Sequence, residues 1–376
     1  MTRIRKRSVA GLCGVAAVLL FSAQVGSAKT ESNTLKAIGQ PVWALAMDGP
    51  RVAYVSGNRP GSESIHVWNL ATGATSSVNG GPHGFAAHLA ADIAISGKRV
   101  VWVRGQQVGN TELNHWLYTA PVGGSAHLLK RVHGYTGTDC GLGGPQLGGL
   151  AGSANAVVVN TWNAGSDGST HSNERLAVVT PTRLRTIATG ADAILSESVD
   201  AGHIAVVPVP TANVTPDGCT TPLPTSVLVY STTGALLQTI ALPAPDPSAL
   251  GYQVAISGSR LVVLTIGLHE PSGPAWVTLG VYNWTTGALL HTWPVDIPKY
   301  PGEVNFSFHG NLAAVEGPYR LHLVDLETGN DVKIAPGSGT GAATSLGPRG
   351  LVYAVNPDNR GKLVFVPTAK LRRLVG

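Results

Sequence analysis

Three kinds of side chain in this 376-residue chain are suited to chemistry, and they cluster in stretches rich in glycine, proline and polar residues. The first are histidines. Of twelve, His83, His88, His171 and His269 fall in segments that read as loops, and histidines gathered round an opening can move protons for a lyase. The second are the carboxylates Glu270, Glu303 and Glu316. A carboxyl pair runs glycoside hydrolysis when its separation suits one acid and one base or nucleophile. The third are Trp162, Tyr135 and Tyr319, whose ring faces can stack on a sugar or peptide. The candidate ligand-binding set is His171, Trp162, His269, Glu270, Glu316 and Tyr319, with no residue assigned to catalysis. Ordinary packing or surface exposure is the plainer reading of each. His66, His115 and His322 lie in strand-like runs, where a hydrogen-bonded structural histidine is commoner.

Other chemistries leave no trace. There is no Gly-x-Ser-x-Gly nucleophile elbow, and Gly165-Ser166-Asp167-Gly168-Ser169 matches neither that motif nor the Asp-box of sialidases. Gly141-Leu142-Gly143-Gly144 lacks the third glycine and the following helix of a dinucleotide site. The pairs His83/His88 and His127/His133 are not at zinc spacing on a helix. No metal and no cofactor is expected.

Residues 1–28 read as a secretory signal peptide. Arg3, Arg5, Lys6 and Arg7 precede the apolar run Val9 to Phe21, and Gly26-Ser27-Ala28 offers small residues for cleavage. The run is too short to span a bilayer stably, and no Arg-Arg pair precedes it, so export without a membrane span in the mature chain is expected, to the periplasm, cell surface or medium. Cleavage lowers the formal net charge from +5 to about +1. A near-neutral mature chain lacks the electrostatic footprint of a nucleic-acid binder. Of the three cysteines, Cys13 leaves with the leader, and Cys140 and Cys219 remain in an oxidising compartment.

The elements that must position these residues are short strands. Val254-Ala255-Ile256-Ser257-Gly258-Ser259-Arg260-Leu261-Val262-Val263-Leu264 is two β-branched runs joined at Ser-Gly, a hairpin signal. Val281-Tyr282-Asn283-Trp284-Thr285-Thr286-Gly287 then gives a third run and a second turn, and Ala288-Leu289-Leu290 a fourth run. The first turn recurs at positions 49, 97, 153, 201, 310 and 348. Successive spacings, with 258 included, are 48, 56, 48, 57, 52 and 38 residues. A four-stranded propeller blade needs about 40–50 residues. The expected fold is therefore all-β: a seven-bladed β-propeller of four-stranded antiparallel blades over residues 40–376, with six or eight blades if a weak copy is misread. Two or three β-sandwiches would share the short strands, but not the same turn chemistry at seven matched places.

Residues 29–39, with strand-like Thr34 to Ile38, can pair with the last blade and latch the ring, although Lys362 to Pro367 and Leu371 to Val375 also offer strands there. The Gly-rich stretch Gly134 to Gly149 reads as a connection into the third blade, Trp162 to Asn173 as a polar loop, and Pro208 to Pro224 as the largest insertion. In this strand order Cys140 and Cys219 share one face on neighbouring blades, so a Cys140–Cys219 disulfide is expected, closing a 79-residue separation.

The template Ile-Ser-Gly-x-Arg followed by Asp/Asn-x-x-Thr-Gly resembles secreted bacterial β-propellers of the TolB-like and WD40-like type, over nearly all of residues 40–376. That resemblance implies the fold and a binding-platform role. No Trp-Asp pair closes a third strand; Val67-Trp68-Asn69 and Val324-Asp325-Leu326 come nearest, and no residues remain for the extra domain of TolB. Quinoprotein propellers share the Asp-x-x-Thr-Gly turn and follow it with a tryptophan that packs between blades. Only Trp293 stands near such a place. The expected function is binding or scaffolding of a protein, peptide or glycan, with an extracytoplasmic hydrolase or lyase over the central channel as the alternative.

Overall fold

The computed structural model describes residues 32–376 except 59–61, 79–89, 109–111, 137–141, 155, 165–170, 191, 210–222, 245, 247, 269–274, 298–303, 318–319, 337–343 and 356–359. The expected leader, the disulfide pair Cys140 and Cys219, and the residues His83, His88, His269, Glu270, Glu303 and Tyr319 lie outside the described residues.

Strand β1 (Thr34–Ala37) precedes blade 1, which is β2 (Val42–Asp48), β3 (Arg51–Ser56), β4 (Ser64–Asn69) and β5 (Thr75–Val78). Blade 2 is β6 (Ala90–Ser96), β7 (Arg99–Val108), β8 (Glu112–Pro121) and β9 (His127–Thr136). Blade 3 is β10 (Leu142–Ser153), β11 (Ala156–Ala164), β12 (His171–Val179) and β13 (Leu184–Gly190). Blade 4 is β14 (Ala193–Asp200), β15 (His203–Val209), β16 (Ser226–Ser231) and β17 (Leu236–Ala241). Blade 5 is β18 (Ala249–Ser257), β19 (Arg260–Leu268), β20 (Ala275–Asn283) and β21 (Ala288–Val295). Blade 6 is β22 (Asn305–His309), β23 (Leu312–Glu316), β24 (Arg320–Asp325) and β25 (Asp331–Pro336). The last blade is β26 (Thr344–Gly347), β27 (Gly350–Val355) and β28 (Lys362–Pro367), followed by helix α1 (Thr368–Val375).

Turn chemistry explains the repeat. Gly49, Gly97, Gly258 and Gly310 open the first hairpin of their blades with φ between +54° and +64°, which an L side chain resists and which twists the hairpin to match its strands. Blade 4 uses Ala201-Gly202, both at positive φ. In the second turn the Asn283 Oδ1 accepts the Thr285 N–H at 3.0 Å, and the Asp325 Oδ1 accepts that of Glu327 at 2.8 Å. An Asx side chain followed four residues later by glycine is a turn that closes on itself.

Second strands such as β3 and β23 are buried along nearly their whole length because neighbouring blades cover both faces, while outer strands such as β17 and β21 are mostly exposed. Apolar side chains between successive blades form seven clusters, one at each joint, including the joint between blade 7 and blade 1. Seven clusters for seven blades close the ring.

The sheet that ends the chain takes its fourth strand from the front: β1 pairs antiparallel with β28, Thr34 opposite Phe365 and Ala37 opposite Lys362. The expectation that Leu371 to Val375 is a strand is corrected. That segment is helical, and Leu371 and Val375, four residues apart on one helix face, pack against blades 6 and 7. Reading Gly134 to Gly149 as a connection is corrected too. Strands β9 and β10 run through most of it and pair at Leu142–Thr136 and Gly143–Tyr135, fusing blades 2 and 3 into one eight-stranded sheet. Glycine lets β10 approach its neighbour: a Cβ on Gly152 would sit 2.8 Å from the Ile95 carbonyl oxygen.

The hairpin end of the ring is laced from blade to blade. The Gly97 N–H donates to Asp48 Oδ2 at 2.6 Å, and the Gly310 N–H to Ser257 Oγ at 3.3 Å. Asp200 joins three blades, accepting from Ser153 Oγ at 3.1 Å and from the Gly258 N–H at 3.0 Å. One step further in, Ser198, Ser307 and Ser345 accept the backbone N–H of Ile256, Leu346 and Met47 on the following blade.

Candidate functional site

The candidate site lies at the joint between blades 3 and 4, where the apolar core is thinnest. Among the described residues its cluster holds seven buried side chains, against nine to fourteen at the other joints. Carboxylates stand there instead. In β10 the register slips between Leu147 and Leu150, leaving Gly148-Gly149 as a bulge. A Cβ on Gly148 would overlap Asn160 and the Trp162 ring, and one on Gly149 would overlap the Glu197 carboxylate. The two glycines are therefore what allows the Trp162 indole and Asn160 on one side and Glu197 on the other.

Glu174, on β12, is buried with 2% exposure. Its Oε1 accepts the Ile194 N–H at 3.1 Å and lies 3.5 Å from the Asn160 Nδ2. Its Oε2 is buried without a hydrogen-bond partner, as is the Asn160 Oδ1. Burial, opposed by those two hydrogen bonds, pushes the Glu174 carboxyl up to about 7. Glu197, half-buried on β14, is pushed up to about 8 by burial and by the nearby Asp92 and Glu174 carboxylates. Asp92, on β6, touches solvent but is hemmed in by protein, which raises its pKa, with a hydrogen bond from the Leu150 backbone acting the other way. Three carboxyl groups from blades 2, 3 and 4 thus share one region, where Asp92 and Glu174 disfavour charge on Glu197.

Next to Glu174 is a cavity of about 80 Å³ between the two blades. Leu176 and Ala188 from blade 3, with Ile194, Val206, Pro208 and Leu228 from blade 4, give it apolar walls; Asp192 and Tyr230 also line it.

The sequence-based candidates fare unevenly. Trp162 belongs to this region, but on strand β11, so the expected polar loop is corrected: β11 runs to Ala164 and β12 starts at His171. Glu316 is buried at the end of β23 and receives a hydrogen bond from the Thr344 hydroxyl of blade 7, at the joint between blades 6 and 7. His66, His115 and His322 sit in β4, β8 and β24; His322 Nδ1 lies 2.7 Å from Asp331 Oδ1. Trp293 does pack between blades. Its ring covers Gly329 and its Nε1–H donates to the Leu326 carbonyl at 3.0 Å. Arg185 and Gln238 reach the next blade's second turn in the same way, donating to the Thr232 and Thr285 carbonyls at 2.7 and 3.2 Å. The tryptophan role is thus repeated with other residue types. Among the described residues no group of three or more His, Cys, Asp or Glu is placed to hold a metal ion, and no helix is long and apolar enough to cross a membrane.

Four-stranded blades closed round an axis, laced at one end and latched by the first strand, define a seven-bladed β-propeller. Solved structures with similar architecture include hydrazine synthase of Kuenenia stuttgartiensis, at a TM-score of 0.53 and 12% identity over 88% of this chain and 96% of that one. BamB of Moraxella catarrhalis is similar at a TM-score of 0.42 and 13% identity, over 86% of this chain and 85% of that chain. Sqt1 of Saccharomyces cerevisiae is similar at 0.43 and 11%, over 89% and 98%. No protein-family model matches the sequence, and no curated protein does either.

Proposed function

We propose that this chain is an exported β-propeller that binds or scaffolds a protein, peptide or glycan. Its ligand-facing surface is the end of the ring opposite the laced hairpins, where blade joins blade and second strands pass to third strands. The observation that carries this reading is apolar surface left open at that end. Inner-strand leucines stand there in bulges, open to water on a frame whose blades are otherwise hydrogen-bonded to one another. Leu195 and Leu250 are the extra residues in bulges of β14 and β18 and are 38% and 52% exposed. Loops and exposed apolar groups on a rigid frame are where recognition resides. The basic-then-apolar composition of residues 1–28 supports export, and a Cys140–Cys219 disulfide would brace two insertions at the ligand-facing end.

The test is a screen of the purified chain on peptide and glycan arrays, repeated with a Leu195→Asp/Leu250→Asp variant. Selective binding lost in the variant at unchanged melting temperature is the expected result. Equal binding by both proteins overturns the assignment of that end.

A second reading, a hydrolase or lyase, draws on the meeting of Asp92, Glu174 and Glu197. Carboxyl groups that titrate near 7 and 8 hold protons at neutral pH and can act as acids. Turnover of a glycoside or uronide abolished by Glu197→Gln would favour it over the binding reading.

A further inference from the structure

We infer that the cavity between blades 3 and 4 is a binding site for a primary alkylammonium group, with Glu174 as its counter-ion. The argument begins with an orphaned oxygen. Glu174 is 98% buried, lines the cavity and leaves Oε2 without a partner. A buried acceptor left unmade is costly in a finished fold, and such a group points to something that completes it.

The walls say what that is. Leu176, Ala188, Ile194, Val206 and Leu228 suit an alkyl stem, not a hydrated ion. No lysine, arginine or histidine lines the cavity among the described residues, so Glu174 has no internal cation to meet. A second carboxylate, Asp192, stands exposed at the lining and adds negative potential at the approach. A volume of about 80 Å³ is several times the ~10–15 Å³ that one water needs, enough for a chain of four or five heavy atoms. A flat guanidinium would need more donors answered than one free oxygen can accept, whereas an ammonium can keep one donor on Glu174 and another on water.

The groups facing Glu174 set its pH behaviour. They are Asn160 from β11, Glu197 and Asp192 from the blade 4 side, and Tyr230 from β16, with Asp92 acting through Glu197. None is cationic, so the empty site keeps a proton on Glu174 near neutrality, and an entering ammonium displaces it. Affinity then rises with pH through about 7 and falls roughly tenfold for each unit below it.

Three of its lining residues, Gly190, Asp192 and Pro208, lie toward the end of the ring assigned above to recognition. The inference rests on that reading only for the direction of approach, and the two fail separately: loss of array binding with amine binding intact removes the first alone. The test is calorimetric titration of the full chain with n-butylammonium at pH 8.5 and pH 6. The expected dissociation constant is on the order of millimolar for a ligand this small. It should weaken at least threefold at pH 6 and vanish in Glu174→Gln and in Ala188→Leu, which fills the cavity and keeps the carboxyl. 1-Butanol is the uncharged control. Equal binding of butanol and butylammonium, no binding of the amine at pH 8.5, or amine binding that survives both substitutions each overturns the assignment. Nα-acetyl-lysine methylamide distinguishes the source: tighter binding than butylammonium assigns the site to a lysine side chain of a peptide, weaker binding to a free amine.

Discussion

The Glu197 carboxylate of blade 4 rests directly on the backbone of Gly149 in blade 3, so close that a β-carbon on the glycine would overlap it. The contact exists because β10 bulges at that point and because a carboxyl group stands where an apolar side chain is usual. Gly149→Ala forces either the carboxylate or the strand to move, and we expect a loss of about 1–3 kcal/mol in urea unfolding. The clash has one partner, so Glu197→Ala in the same chain should restore much of the loss. A double variant no better than the sum of its parts would place the defect elsewhere.

Glu174 and Glu197 titrate near 7 and 8 in the folded chain against an ordinary value of 4.5. Between about pH 4.5 and 8 the folded protein therefore holds protons that the unfolded chain has released. Stability falls as pH rises through that window, by at most about 1.4 kcal/mol per pH unit for each such proton. Glu197→Gln should flatten the fall of melting temperature between pH 5 and 8.5. Parallel profiles for the two proteins would refute the titration.

Strand β1 supplies the fourth strand of blade 7 through its pairing with β28, and Lys36 Nζ lies 5.8 Å from the Trp68 ring of blade 1. A chain starting at residue 38 loses both the pairing and that bridge. It should melt at least 5 °C below one starting at residue 29 and associate through the bared β28 edge, as light scattering would show. Identical melting and a monomeric profile would show the latch to be dispensable.

If Cys140 and Cys219 are joined on export, a thiol reagent should find no reactive thiol in the secreted chain and two after reduction. Reduction should lower stability by ~2–4 kcal/mol, given the long loop closed. Two reactive thiols in the native protein would discard the bond.

The ring was legible because its turns are spelled in local chemistry. Glycine at positive φ in Ser-Gly hairpins, and Asn283 or Asp325 closing an Asx turn on Gly287 or Gly329, are requirements of a few adjacent residues. The site was not legible by that route, since Asp92, Glu174 and Glu197 come one from each of three blades and share no motif. A signal was present all the same. With the inner strands set in register on their hairpins, Glu197 occupies the place of Leu45, Ile93, Leu150, Val254 and Phe306 in five blades and of Thr344 in blade 7. A carboxyl group in a column that is apolar in five of the other six blades is the anomaly that alignment of the repeats exposes. The glycines of β10 misled for a related reason. Their abundance suggested a loop, whereas they serve close approach of two strands and two blades.

The fusion of β9 to β10 has a mechanical consequence for the whole molecule. Blades 2 and 3 are tied by main-chain pairing, whereas blades 3 and 4 meet across few apolar groups and acids that disfavour charge on Glu197. A hoop under load parts at its poorest seam. Here that seam is internal, about midway along the chain, so breathing of the ring should begin beside Glu174 rather than at the strand that ties its two ends.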